Sequence, residues 1–89
     1  MYFVYIIRSK KDHKNYIGST SDFNKRLEWH NAGKNISTKH RAPFELVYLK
    51  EFVDKHSAIQ YEIWLKKQKG GFKVKELIKW FKNNSAPIA

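Results

Sequence analysis

The sequence predicts an α+β fold: a two-stranded hairpin and a helix, then a third strand and two further helices. Three observations lead there. Tyr2 to Ser9 and Asn15 to Ser19 are rich in aromatic and β-branched residues and flank a polar turn. An apolar stripe at helical spacing begins at Phe23, and after a strand-like Phe44 to Phe52 the helical period returns for most of the remaining chain. With 89 residues and 42% hydrophobic content, the chain can build one modest core and no second one, so a large internal substrate cavity is not expected.

The first two runs read as a β-hairpin whose loop is Lys10-Lys11-Asp12-His13. With that loop Ser9 faces Lys14, Ile7 faces Tyr16 and Tyr5 faces Gly18. Residues two apart share a face, so Tyr5 and Tyr16 point the same way, and Gly18 leaves open space beside Tyr5. Tyrosines on strands also serve simple packing, which is the plainer reading of the pair.

Ser21 or Asp22 can cap a helix running to about Ala32, with Gly33 at the left-handed C-terminal position. Phe23, Leu27 and His30 fall at i, i+4 and i+7 and form its buried stripe, with Arg26 beside that stripe one turn before His30. An arginine placed there meets an anion, snorkels over the core or pairs with an acidic side chain. Two phenols, a guanidinium and an imidazole are thereby gathered by a hairpin and one helix, a set able to grip and attack a phosphodiester. From Gly33 to Pro43 periodicity is lost, and Lys34, Asn35, Ser37, Thr38, Lys39, His40 and Arg41 read as an exposed basic loop suited to phosphate contacts, or as a solvated connection.

Phe44 to Phe52 is the third strand, ended by Asp54-Lys55-His56. Ser57 with Gln60 forms a capping-box signature for a helix to about Lys69. Gly70-Gly71 then breaks the chain before a last helix, Phe72 to Asn83, whose Leu77, Ile78 and Phe81 face the core. Residues 1–84 make the domain, and 85–89 read as a frayed tail. On the second helix Ala58 at i−4 and Leu65 at i+3 put Glu62 on the apolar stripe. A carboxylate there calls for a cation, either Lys66 at i+4 or a bound divalent metal.

Eighteen Lys and Arg against eight Asp and Glu leave a formal charge of +10, which favours a polyanionic partner, nucleic acid first. No cysteine is present, so disulfides and thiolate zinc sites are excluded. The apolar opening run stops at Arg8, too short for a signal-peptide core or a spanning helix. The expectation is a cytoplasmic protein with no membrane association.

Taken together, these residues resemble the GIY-YIG nucleases, in particular small stand-alone bacterial proteins, the UPF0213-like group, that consist of little more than that domain. Phe3-Val4-Tyr5 and Tyr16-Ile17-Gly18 align with the paired family tripeptides, Asp22 to Lys34 with the following helix, and Glu62 with the metal-binding glutamate. Two positions depart: Phe3 stands where the first tripeptide has glycine, and Ser19 where some relatives have lysine.

The resemblance implies a three-stranded antiparallel sheet flanked by helices and cleavage of DNA with Mg²⁺ or Mn²⁺. It assigns catalytic roles to Tyr16 (activating water), Tyr5 (positioning water or phosphate), His30 (proton acceptor supporting the tyrosine), Arg26 (neutralising phosphate charge) and Glu62 (metal ligand). Arg26, Lys34, Lys39, His40, Arg41 and Lys66 are the candidate nucleic-acid contacts. The reading is a divalent-metal-dependent DNA endonuclease, structure-selective and acting in repair or recombination. Its alternative is a non-catalytic DNA- or RNA-binding module that kept the fold. Larger relatives carry a separate DNA-binding domain, so targeting here is expected from the basic surface, a weak dimer of an otherwise monomeric chain, or a partner protein.

Overall fold

The computed structural model describes residues 1–34, 39–68 and 71–84. Among them the chain forms β1 (Tyr2–Ser9), β2 (Asn15–Thr20), α1 (Phe23–Asn31), a 3-10 turn at Lys39–Arg41, β3 (Phe44–Phe52), α2 (Lys55–Lys67) and α3 (Phe72–Asn84). The strands make one antiparallel sheet in the order β2-β1-β3. This is the α+β architecture, a three-stranded antiparallel sheet flanked by helices, that the sequence predicts.

Because β1 is the central strand and both sheet faces are covered, Val4, Tyr5, Ile6 and Ile7 are all buried in succession. Val4 and Ile6 look into one core with Ile17, Tyr48, Ala58, Leu65 and Val74, beneath α2 and α3. Tyr5 and Ile7 look into a second with Phe44, against which Tyr16, Phe23 and Leu27 pack. Leu77, Ile78 and Phe81 pack on the first core as their spacing requires. His30 is fully buried, with its ring edge-on to Tyr5, Tyr16, Trp29 and Phe44.

The hairpin register is the expected one: Tyr5 pairs with Gly18 and Ile7 with Tyr16, and the Ser9 amide donates to the Lys14 carbonyl at 3.0 Å. Ser9 holds the turn. Its Oγ accepts from the Lys11 and Asp12 amides at 3.0 and 3.2 Å and donates to the Arg41 carbonyl, and Arg41 Nε lies 3.2 Å from Asp12. The hairpin tip is thereby tied to the segment that leads into β3.

Both early caps follow one pattern. Asp22 accepts from the Lys25 amide at 3.1 Å, and Gly33, just past the end of α1, has φ 73°. At α2 the expected Ser57–Gln60 box is not the start. Asp54 is the N-cap, accepting from the Ser57 amide at 2.7 Å, and Lys55 opens the helix. A carboxylate is the stronger acceptor for an orphan amide, so the aspartate takes the cap and the serine becomes the residue it caps. Helix α2 closes at Lys67, earlier than expected, with Gln68 as its C-cap, whereas α3 runs one residue further, to Asn84. Residues 35–38 of the basic loop, 69–70 of the expected break and the tail 85–89 lie outside the described residues.

Two stability predictions follow from this packing. A Cβ built on Gly18 would collide with Tyr5 Oη and sit 2.6 Å from Cζ, and Tyr5 is too enclosed to step aside. Gly18→Ala should therefore lower unfolding free energy by about 1–3 kcal/mol in urea, the usual cost of overpacking; unchanged stability would contradict the contact. The second concerns His30, whose pKa is lowered from 6.5 to about 4, first by burial and then by the charge of Arg26. Above pH 6.5 the imidazole is neutral in both folded and unfolded chains. Between 6.5 and 4 only the unfolded chain takes up the proton, so stability should fall with pH across that window, by at most about 3 kcal/mol. His30→Gln should flatten most of that slope in urea melts taken at each pH, and an unchanged slope would show that other groups carry it.

Candidate active site at the sheet edge

The site is built on the hairpin. Gly18 lies across from Tyr5, and the space it leaves is not open, as the sequence suggested, but filled by the Tyr5 ring. There Tyr5 Oη lies 3.0 Å from His30 Nε2. Burial raises the Tyr5 phenol well above its ordinary range; Tyr16 adds to the rise, Arg26 offsets part of it, and Glu62 adds again. With His30 lowered to about 4, the bond near neutral pH joins a neutral phenol to a neutral imidazole. Tyr5 thus touches His30 directly, Tyr16 and Trp29 pack on the same imidazole, and Arg26 lies over Trp29, while Glu62 comes from α2 and meets the sheet at Ser19.

Tyr16 sits on β2, half-buried, with its ring centroid 5.0 Å from that of His30 and nearly edge-on to it. Of the two phenols it is the one nearer solvent. Arg26 is half-buried on α1, and its guanidinium lies over the Trp29 ring, 4.8 Å from the centroid. Sequence reasoning offered Arg26 an anion, an acidic partner or the core surface, and it missed this aromatic platform. The signal was present, since Trp29 is three residues on along the same helix. Thr20, Asp22, Lys25, Arg26 and Trp29 line an open groove of about 380 Å³.

Glu62 reaches the sheet from α2. Ser19 Oγ donates to its Oε1 at 2.5 Å, and Lys66 Nζ lies 2.7 Å from Oε2. The Lys66 ion pair that its spacing offered is therefore formed, and Ser19, noted in the sequence only as a departure, is a second partner. Among the described residues no group of three or more His, Asp or Glu side chains could hold a metal ion. Mg²⁺ commonly takes one or two carboxylates and completes its shell with water and substrate phosphate, so Glu62 beside a hydroxyl fits a weakly held hard cation rather than a closed cage.

Of the other candidate nucleic-acid contacts, Lys34 and His40 are exposed, Lys39 opens the 3-10 turn, and Arg41 is half-buried and paired with Asp12. Lys66 is exposed at the lip of the Glu62 contact.

Comparison with known proteins gives the family and the fold. The GIY-YIG catalytic domain family matches residues 1–75. A UPF0213 protein of Oceanobacillus iheyensis is 39% identical over 66 residues, covering 73% of this chain and 76% of its own length. The UPF0213 protein YazA of Bacillus subtilis is 40% identical over 67 residues, covering 74% and 67%. The solution NMR structure of a UPF0213 protein from Bacillus halodurans superposes with a TM-score of 0.51 at 31% identity, over 98% of this chain and 89% of that one. No helix among the described residues is long and apolar enough to cross a membrane. With its family tripeptides paired across the hairpin and residues 1–75 matched, the chain belongs to the GIY-YIG family of nuclease domains, in the UPF0213 group.

Proposed function

We propose that this chain is a divalent-metal-dependent DNA endonuclease. The observation that supports the reading is the cluster around His30, with Tyr5 Oη 3.0 Å from its Nε2, Tyr16 and Trp29 packed on its ring and Arg26 over Trp29. A packing role alone would not call for a buried imidazole between two phenols with a guanidinium one ring away.

The division of labour follows from burial. Tyr5, with its phenol pushed up by its surroundings, keeps its proton and acts as a fixed hydrogen-bonding post held by His30. Tyr16, nearer solvent, meets the attacking water and takes its proton either as a phenolate or by passing its own phenolic proton on to solvent, as the water oxygen bonds to phosphorus and the bond from phosphorus to the leaving oxygen breaks. Arg26, swinging from Trp29 or reaching out from it, neutralises charge building on the non-bridging oxygens. Glu62 would hold Mg²⁺ or Mn²⁺, which supplies charge stabilisation at the leaving oxygen. Selectivity for branched or distorted DNA would come from shape and from phosphate contacts made by exposed cations such as Lys34 and Lys66.

One observation favours the rival reading, a nucleic-acid-binding module without catalysis. Glu62 is already satisfied by Lys66 and Ser19, as a merely structural carboxylate would be. Single-turnover cleavage of supercoiled, branched and single-stranded DNA in Mg²⁺, Mn²⁺ or EDTA separates the two, with DNA affinity measured in parallel.

The nuclease reading expects Tyr16→Phe and Arg26→Ala each to lose on the order of 10² to 10⁴ in rate with modest change in affinity. Equal rates for parent and Tyr16→Phe would remove that phenol from the chemistry. Glu62→Gln should fold and bind DNA at least as tightly as the parent, yet lose metal-dependent cleavage. Absence of cleavage by the parent on every DNA form would establish the binding module instead.

A further inference from the structure

The two oxygens of Glu62 are held by partners of opposite character. Ser19, on Oε1, is short, half-buried and fixed by the β2 ladder next to Gly18, so its position is set by the sheet. Lys66, on Oε2, is a long side chain one helical turn away, and it is 53% exposed while Glu62 is only 15% exposed. One partner orients the carboxylate and the other neutralises it. A cation approaching Glu62 meets Oε1 occupied by a short donor on a strand-fixed backbone and Oε2 occupied by a charge on a long exposed side chain.

We propose that Lys66 is a tethered competitor for the metal position: its ammonium neutralises Glu62 when no metal is bound, and it must leave Oε2 for a divalent ion to enter. This deepens, and rests on, the assignment of Glu62 as the metal ligand. Direct contact between a lone carboxylate and a hard cation is weak to begin with. A resident ammonium 2.7 Å from the same oxygen weakens it twice, by competing for the lone pairs and by repelling the ion from close range after it yields. Metal affinity is then set by the residue at the i+4 position as much as by the carboxylate itself. Lys67, exposed on the same helix, carries the same charge and makes no contact with Glu62 among the described interactions, so it serves as an internal control.

The test is Mn²⁺ binding to the full chain without DNA, read as free Mn²⁺ by electron paramagnetic resonance. Fold is checked by circular dichroism. Lys66→Met should tighten Mn²⁺ binding by about three- to tenfold, a range expected for removing one nearby, partly screened charge. Lys66→Arg should leave affinity near the parent value, and Lys67→Met should change it by less than about twofold because its charge is not in contact. Unchanged or weaker binding by Lys66→Met, or equal tightening by Lys67→Met, overturns the proposal while leaving Glu62 as the ligand. If Glu62→Gln binds Mn²⁺ as well as the parent, the ligand assignment itself fails, and the proposal with it.

Discussion

The close approach of Tyr5 to Gly18 is the constraint on which the rest of this structure turns. Only a residue without a Cβ allows the phenol to lie across β2, and only in that position does Tyr5 Oη come within 3.0 Å of His30 Nε2. That contact ties the central strand to α1 and fixes the orientation of the helix that carries Arg26. It also encloses His30 so fully that the imidazole stays neutral across the ordinary pH range. A single glycine therefore governs geometry and protonation together.

Because β1 is buried on both faces, the protein has two small cores in place of one, and the candidate site lies where they meet at the β2 edge. Tyr5 and Tyr16 belong to the α1 side, whereas Glu62 arrives from the α2 side through Ser19. Gly18 and Ser19, neighbours on one strand with side chains to opposite faces, join the two. An edge strand is an apt place for this. Its outer side has no neighbouring strand among the described residues, so a phosphate backbone can approach side chains from both layers at once.

The hairpin register was legible because a four-residue turn leaves one pairing that puts both tyrosines on the same face, whereas the space beside Gly18 read as open and is filled by the Tyr5 ring, since ring placement depends on the packing of α1. The His30 stripe and the burial of Glu62 were legible from helical spacing alone. The Ser19–Glu62 contact was not, since the partners are 43 residues apart and their meeting depends on how α2 crosses the sheet. The α2 start was ambiguous for a local reason. Asp54 and Ser57 are both good caps three residues apart, so the same pair fits a cap bonding its own third helical residue. Trp29 under Arg26 was overlooked because a helical tryptophan reads first as core, yet here it is a half-buried platform for a cation.

Tyr5 and His30 are joined by one hydrogen bond and are expected to act as one unit, a post for the reacting groups. A double-mutant cycle on the cleavage rate measures this directly, using Tyr5→Phe, His30→Gln and the pair under single-turnover conditions with folding verified for each. If the two form one unit, the double variant should be no slower than the slower single variant, a strong coupling of the kind seen for residues in one hydrogen-bonded network. Losses that simply multiply would mean that the two side chains act independently, and the contact would then be packing without consequence for the chemistry.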